Sequence, residues 1–282
     1  MKITVNKELC TRCLRCVREC PSEIFSLRDK AIALSGEGRC IACGHCAGVC
    51  EVGAVRHELF PEERVHPIDS SLLPSPEQVM LLIASRRSNR SYSKDSVPQE
   101  YLDLIVEAAH RAPTASNLQG VSFTLVTDPE KIRLVCAFTL DTFGRLAGLV
   151  DKPLVKPIAK RLFPQEYRYI RRFRSMQRAF GAGKDYILRG ATALLFIHTS
   201  PAIRYGSEDS NLAYQNASLM AESLGIAQFY TGFVLSAARR RKGVLERLLG
   251  IEGKIHAGMA LGMPLFRYAN YIDRKEAVVK HI

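Results

Sequence analysis

Helical and strand-like hydrophobic patterns alternate along residues 77–282. Leu102, Ile105, Val106 and Ala109 follow the i, i+3, i+4, i+7 spacing that places apolar side chains on one face of a helix. Short apolar or alternating runs separate such segments and predict strands. Helices interleaved with a few strands indicate an α+β or α/β layered core. The pattern predicts helices over 98–111 and 211–224 and strands over 121–127, 191–199 and 255–263.

A proline-rich polar stretch over 61–76 is interpreted as a linker. It ends at Ser75-Pro76, an N-cap residue followed by a proline suited to the first turn of a helix. At 282 residues the chain is long enough for a second core beyond a small N-terminal domain. We therefore predict a small domain over 1–60, the linker, and a larger domain over 77–282.

Eight of the nine cysteines fall into two runs with the same C-x2-C-x2-C-x3-C spacing, thirty residues apart. This is the pattern of bacterial two-cluster ferredoxins, in which the fourth cysteine of each run ligates the other [4Fe–4S] cluster. We call the two predicted clusters the first and the second cluster. The first is assigned to Cys10, Cys13, Cys16 and Cys50, and the second to Cys40, Cys43, Cys46 and Cys20.

Other interpretations of the cysteines fit less well. A zinc ribbon uses paired C-x2-C ligands, and a disulfide framework needs an oxidising compartment, whereas the chain opens without an apolar signal segment. Glu51 stands where a proline usually follows the second run, which removes no ligand. Cys136 is expected to be a buried small hydrophobe, His45 to face solvent or the outside of the cluster loop, and His198 to be a strand-end core residue.

Basic side chains are concentrated in one segment of the larger domain. Residues 145–189 contain twelve Lys/Arg against three acidic residues, which accounts for +9 of the formal net charge of +12. This segment could attract an acidic electron carrier, an anionic substrate or anionic lipid, or simply form a solvated helix face. No nucleic-acid-binding motif accompanies the charge, so nucleic acid is not an expected partner. No run of about 18 apolar residues is present, so no membrane span is expected.

Three short motifs follow one another in the larger domain and together resemble the nitroreductase family of FMN enzymes. Combined with the cysteine runs, the whole chain resembles the ferredoxin–nitroreductase fusions of anaerobes. This resemblance implies an α+β sandwich with a central, mostly antiparallel sheet flanked by helices. The motifs are Arg86-Arg87-Ser88-Asn89-Arg90, Ala112-Pro113-Thr114-Ala115-Ser116-Asn117-Leu118-Gln119, and Leu224-Gly225-Ile226 leading to Tyr230-Thr231-Gly232.

The resemblance also implies FMN contacts. Arginines suit the FMN phosphate because their planar guanidinium groups form charge-assisted, often bidentate hydrogen bonds. In the family the second motif comes from the partner subunit and packs on the flavin, which implies a homodimer with shared sites. Gly120 and Thr231 depart from residues common in the family, and Thr231 changes the environment above the flavin ring. The expected contacts are Arg86, Arg87, Ser88, Arg90, Pro113, Thr114, Ala115, Asn117, Gln119, Tyr230, Thr231, Gly232 and Arg274.

We therefore expect a cytoplasmic oxidoreductase of an anaerobe. Electrons enter the clusters from a ferredoxin, a flavodoxin or an NAD(P)H-linked donor, reach FMN, and leave to a nitroaromatic- or quinone-like acceptor with ping-pong kinetics. No side chain stands out as an acid or base, since the cofactors carry the chemistry. Residues 140–185 are expected to form a basic helical lid, with Tyr167, Tyr169, Phe173 and Phe180 shaping acceptor choice, or a plain packing helix.

Two other functions remain open at this stage. The chain could be an electron-transfer or redox-sensing module that delivers electrons to a partner protein, which the basic segment favours. It could also catalyse reductive dehalogenation or flavin remodelling, both of which occur in nitroreductase-like folds.

Overall fold

The computed structural model describes residues 1–282 except for the side chains at 165, 166 and 168–171. Three residues singled out in the sequence lie outside the described residues: Tyr169, expected to shape acceptor choice, and the arginines Arg168 and Arg171 of the basic segment. The chain forms two compact units. The cluster unit comprises Met1–Pro74 and Thr114–Gln119, and the large unit comprises Ser75–Pro113 and Gly120–Ile282.

The cluster unit is built from two similar halves. Its two-stranded sheets pair β1 with β4 and β2 with β3, all antiparallel. The backbone repeats every thirty residues: Arg12 and Ala42 both have positive φ angles, of 56° and 51°, and Leu14 and Gly44 precede the two helices. The elements are β1 (Ile3–Val5), α1 (Arg15–Glu19), β2 (Phe25–Arg28), β3 (Ala31–Leu34), α2 (His45–Gly48) and β4 (Val55–His57).

Short 3-10 turns, Glu62–Arg64 and Ser70–Leu72, occupy the predicted linker. The large unit then begins with α3 (Pro76–Ser85). Ser75 caps this helix through a capping box with Gln78, as the Ser-Pro signal indicates.

A four-stranded antiparallel sheet with the order β5-β6-β8-β7 forms the centre of the large unit. The predicted strands are present with slightly different ends. The long helix starts earlier than expected, at Gly206, because its first turn is polar; Glu208 and Asp209 lie there and complement the helix dipole. The elements are α4 (Gln99–His110), β5 (Val121–Val126), α5 (Pro129–Val150), α6 (Lys156–Leu162), α7 (Pro164–Gly181), β6 (Ala193–Thr199), α8 (Gly206–Ser223), β7 (Ala227–Tyr230), α9 (Gly232–Arg240), α10 (Val244–Leu249) and β8 (Lys254–Gly262).

Helices cover both faces of this sheet, and every residue of β6 is buried. Leu195 and Ile197 pack with α4 and α8 on one face. Leu194 and Phe196 pack with α5, α9 and α10 on the other. This double burial explains why β6 appears in the sequence as a continuous apolar run. The arrangement confirms the expected α+β sandwich with an antiparallel sheet.

The helices of the basic segment pack on the core as well as carrying charge. Phe143 of α5 and Phe173 of α7 stack with ring centroids 4.1 Å apart. Tyr167 is buried and donates a hydrogen bond from its hydroxyl to Asp151. Two of the four aromatic residues assigned to acceptor choice are therefore core residues of this helical layer.

Replacing Leu195 by Ala should lower the free energy of unfolding by about 2–5 kcal/mol, because Leu195 is fully buried and the change leaves a cavity. Chemical denaturation monitored by circular dichroism measures this. Leu154→Ala is the matched control, since Leu154 is 86% exposed. Equal stability of the two variants would contradict the assignment of β6 to the centre of the core.

Candidate cofactor sites

The cysteines of the cluster unit line two separate cavities. Each cavity takes three cysteines from one run and the fourth from the other run. Apolar side chains complete the walls, with Val5 and Ile32 at one and Ile3 and Phe25 at the other. Cys10, Cys13, Cys16 and Cys50 line the first cavity, and Cys20, Cys40, Cys43 and Cys46 line the second.

The local chemistry of these cavities suits iron–sulfur clusters. Burial raises the pKa of the Cys46 thiol to about 11, so a positively charged partner such as iron is needed to keep it as a thiolate. Backbone N–H groups point at sulfurs, from Ala42 to Cys40 at 3.4 Å and from Ala54 to Cys50 at 3.2 Å. Such donors favour the negatively charged form of a ligating sulfur.

A site for a single metal ion is a poorer fit. In the part of the chain that the structure describes, no three His, Cys, Asp or Glu side chains converge as ligands of one ion. The sulfurs instead surround a volume, as a cluster requires. Cys136 lies apart in the large unit; it is buried, as expected, and donates to Asp185 at 3.2 Å.

Polar and charged side chains around the helices of the cluster unit form exposed pairs. Arg15 pairs with Glu51, the residue that replaces the usual proline. His45 lies 3.2 Å from Glu19 and is 56% exposed, so it faces solvent. Exposed pairs of this kind contribute little to stability.

The segment Thr114–Gln119 belongs to the cluster unit, although it lies between α4 and β5 in the sequence. Asn117 donates a side-chain hydrogen bond to the carbonyl oxygen of Ala42 at 2.7 Å. Ala42 lies between Cys40 and Cys43 of the second cluster site. Ser116, Asn117 and Gln119 all have positive φ angles, of 51°, 52° and 48°, which is a costly conformation for non-glycine residues. This segment therefore contacts the loop that carries Cys40 and Cys43, which we call the second ligand loop.

The large unit contains a cavity of about 350 Å³ between β7, α9 and the turn before β6. Its walls include Arg90, Tyr230, Thr231 and Gly232, four of the predicted flavin contacts. The first N–H groups of an α-helix have no acceptor within the helix, and the N-cap residue of α9, Thr231, makes no side-chain capping hydrogen bond. A helix N-terminus beside an arginine favours an anionic or hydrogen-bond-accepting ligand.

Two arginines of the first motif, Arg87 and Arg90, line two different cavities. Arg90 lies over the Phe229 ring at 5.3 Å and faces the cavity. Asn89 is buried and donates to the carbonyl oxygen of Phe266. Arg87 lines a different cavity with Glu222 and Arg267, so the structure does not bring Arg87 and Arg90 together.

Tyr214 of α8 is close both to the arginine motif and to Tyr230 of β7. Tyr214 and Tyr230 meet edge to face, with centroids 4.7 Å apart. Tyr214 donates to the fully buried Gln228 at 2.9 Å. Burial raises the pKa of Tyr214, and the charges of Arg86 and Arg90 partly oppose that rise. Arg86 and Arg90 are thus both close enough to Tyr214 to act on it.

The remaining predicted contacts lie elsewhere. Ser88 is half-buried, and its carbonyl oxygen accepts a hydrogen bond from Arg90 at 3.3 Å. Pro113 is exposed at the end of the segment that follows α4. Arg274 is exposed in the C-terminal stretch, which has no regular secondary structure. Within one chain, these residues do not line the cavity of Arg90.

Sequence reasoning missed one wall of this cavity. Tyr186, Ile187 and Arg189 line it, and the Arg189 guanidinium lies over the Tyr186 ring at 5.5 Å. Arg189 has a positive φ of 62° in the turn before β6. The only available signal was an Arg-Gly pair before an apolar strand, which indicates a turn but no function.

Two four-cysteine cavities and a cavity rimmed by an arginine and a helix N-terminus define an oxidoreductase that uses iron–sulfur and organic cofactors. The family model described as "Nitroreductase family" matches residues 83–263, and the model "4Fe-4S dicluster domain" matches residues 9–55. The chain belongs to the nitroreductase family and carries an N-terminal 4Fe–4S dicluster domain. The predictions of an FMN-dependent oxidoreductase with [4Fe–4S] clusters and of this domain fusion are confirmed.

Individual proteins are similar to one part or the other. An uncharacterized ferredoxin of Methanocaldococcus jannaschii is 35% identical over 60 residues, 21% of this chain and 97% of that protein. An FMN reductase [NAD(P)H] of Bacillus subtilis is 26% identical, covering 72% of this chain and 73% of that protein. A nitroreductase structure from Bacteroides fragilis with bound FMN superposes with a TM-score of 0.52 at 21% identity, covering 72% of this chain and 99% of that one. The last comparison supports the fold.

None of the helices in the described part of the chain has the length and apolar character to cross a lipid bilayer.

Replacing Cys43 by Ala should remove one ligand of the second cluster and halve the [4Fe–4S] signal in the Mössbauer spectrum of ⁵⁷Fe-labelled protein, since each cluster has four cysteine ligands. Cys136→Ala is the control and should keep the full signal, because Cys136 lies in the core of the large unit. A full signal from the Cys43 variant would contradict the ligand assignment.

Proposed function

We propose that this protein passes electrons from an external low-potential donor through its two [4Fe–4S] clusters to FMN, and on to a nitroaromatic- or quinone-like acceptor in a ping-pong cycle. The observation that carries this proposal is the presence in one chain of two four-cysteine cavities and an arginine-rimmed cavity at the third flavin motif. When bound, the clusters transfer single electrons and FMN converts them to a two-electron reduction.

The side chains of the large unit supply binding and orientation. Arg86 and Arg90 provide the positive charge for the FMN phosphate and ribityl chain, with Ser88 as a hydroxyl partner and Arg87 and Arg274 as further arginines that the resemblance implies. Gly232 opens α9 and presents its backbone N–H at the cavity wall, whereas the N–H of Thr231 already donates to the carbonyl oxygen of Gly258. The positive N-terminal end of α9 favours the electron-rich edge of the flavin. Phe229 supplies an apolar surface.

A homodimer with shared sites is part of this proposal. The helix α3 is rich in apolar residues, yet none of its side chains is buried within one chain. Met80 and Leu81 are 62% and 59% exposed, and contiguous exposed apolar surface of this kind marks an interface. A partner subunit covering α3 could also contribute Pro113, Thr114, Ala115, Asn117 and Gln119 to the flavin, as the family resemblance implies.

Delivery of electrons to a partner protein is the second candidate function. Its support is the exposed basic surface of α6 and the preceding loop, where Lys152, Lys156, Lys160 and Arg161 all face solvent. An acidic electron carrier would be attracted to such a surface. Turnover of small acceptors independent of any protein acceptor would argue for the reductase instead.

Arg90→Ala should weaken FMN binding by about 10- to 100-fold, because a charge-assisted hydrogen bond contributes about 1.5–3 kcal/mol. Fluorescence quenching during FMN titration of the flavin-free protein measures the dissociation constant. The control Arg247→Ala removes an exposed arginine distant in sequence from the motif and should bind FMN like wild type. Unchanged binding by the Arg90 variant would rule out its assigned contact.

Anaerobic stopped-flow absorbance tests the electron route. Mixing with reduced ferredoxin should bleach the clusters before the flavin, and a nitroaromatic should then reoxidise both. Mixing with NADH or NADPH provides the comparison. Flavin reduction by NAD(P)H with the clusters lagging behind would contradict the proposed direction and favour the electron-transfer or sensing function.

A further inference from the structure

The wall of the second cluster site contains a buried histidine. His57, the last residue of β4, lies in the wall of the second cavity, and its Nε2 is 3.6 Å from the Sγ of Cys40. The side chain is buried, with the residue only 3% exposed. The Cys40 sulfur also accepts a hydrogen bond from the backbone N–H of Ala42 at 3.4 Å. This sulfur is therefore contacted by both a side-chain and a backbone nitrogen.

The hydrogen bond made by Nδ1, the other ring nitrogen of His57, determines which of the two ring nitrogens carries the proton. The backbone N–H of Leu59 donates to Nδ1 at 3.1 Å, so Nδ1 acts as an acceptor and has no hydrogen. In a neutral imidazole the hydrogen is then on Nε2. Nε2 is the nitrogen that faces Cys40, so the Nε2–H of His57 donates a hydrogen bond to the Cys40 sulfur.

The backbone holds the imidazole in this orientation. Ile3 of β1 pairs with His57 in the antiparallel register, and Phe60 forms a further bridge to it. The Phe60 ring packs on the imidazole with centroids 4.8 Å apart. Strand pairing and ring packing together limit rotation of the donor away from Cys40.

The thirty-residue repeat provides an internal comparison. The position equivalent to His57 in the first half is Leu27, and the position equivalent to Cys40 is Cys10. Leu27 has no N–H on its side chain and is 50% exposed. At the first site Cys13 is exposed, so water competes for hydrogen bonds to its sulfur. The buried imidazole donor belongs to the second site.

We propose that His57 is a positioning residue that raises the reduction potential of the second cluster by donating a hydrogen bond to Cys40. Cluster reduction adds negative charge that spreads onto the ligating sulfurs, and a donor stabilises this reduced state more than the oxidised state. The bond acts in a buried environment, where its electrostatic effect is larger than in water.

The consequence concerns the order of electron transfer within the proposed function, on whose iron–sulfur part this inference rests. A raised potential draws the electron to the second cluster. The ligand loop of that cluster is also the one held by Asn117 through Ala42. His57 thus favours a direction from the first cluster to the second.

An anaerobic redox titration of the reconstituted protein, followed by electron paramagnetic resonance at fixed pH, tests the proposal. His57→Leu should lower one of the two cluster midpoints and leave the other in place. A tenfold change in the one-electron equilibrium corresponds to about 59 mV, and we expect a shift of about this size. His57→Gln retains a side-chain N–H and should restore part of the shift.

Two controls separate a specific effect from general loosening of the fold. His66→Leu removes an exposed linker histidine and should change neither midpoint. Leu27→His places an imidazole at the equivalent but exposed position of the first half, where water competes for its N–H, and should also leave both midpoints in place. Unchanged midpoints in His57→Leu, or an equal shift of both, would overturn the proposal.

Selective ¹⁵N labelling of histidine gives a test on the wild-type protein, with His57→Gln as the variant that assigns the signal. Pulsed electron paramagnetic resonance of the reduced wild-type protein should show a ¹⁵N coupling to one cluster, and this coupling should vanish in His57→Gln if assigned to the imidazole. Absence of the coupling in wild type would refute the hydrogen bond. Neither measurement uses a donor or an acceptor, so the proposed electron route can fail in stopped flow while this inference stands, and the reverse.

Discussion

The cluster unit depends on the exchange of one cysteine between its two halves. Cys20 lines the cavity of the second run, and Cys50 lines the cavity of the first. Each predicted cluster therefore links both halves covalently through iron–sulfur bonds. The apolar core of this unit is small, with Ile3, Ile24 and Phe25 among its buried residues, and a small core supplies little stability by itself. Metal–thiolate bonds formed across the two halves compensate, since binding a metal centre contributes directly to folding.

The large unit depends on a different constraint, the burial of its sheet on both faces. Ala213, Ala217 and Ala221 of α8 are fully buried on one side, and such small side chains allow the helix to approach the strands closely. Phe143, Phe173 and Phe233 form an aromatic cluster on the other side, with Phe233 edge-on to both of the others. Because Phe233 also lines the candidate flavin cavity, the packing of α5 and α7 reaches the wall of that cavity. The basic helices thus affect the site through packing, whatever their exposed charges bind.

Local patterns in the sequence predicted the elements because these depend on residues close together in the chain, and the repeated spacing of the two cysteine runs predicted the crossed cysteine cavities. The strand β6 is a continuous apolar run, and the cysteine runs have a fixed spacing. The divergence of Arg87 from Arg90 depends on backbone geometry over a few residues, which spacing does not encode. Arg189 reaches the cavity through long-range folding, and its sequence context is an ordinary turn. The contact of Asn117 with Ala42 joins residues 75 positions apart, and no periodicity indicates such a pair.

The crossed cysteines have a consequence for how the protein is made. Since Cys50 completes the site of Cys10, Cys13 and Cys16, neither site has all four sulfurs until both runs have left the ribosome. Iron loading must then follow synthesis of the whole repeat rather than proceed one half at a time. Until iron is loaded, the thiols of both runs are open to oxidation and to mispairing. Maturation in cells should therefore be most sensitive to oxidants between the translation of Cys50 and the loading of iron.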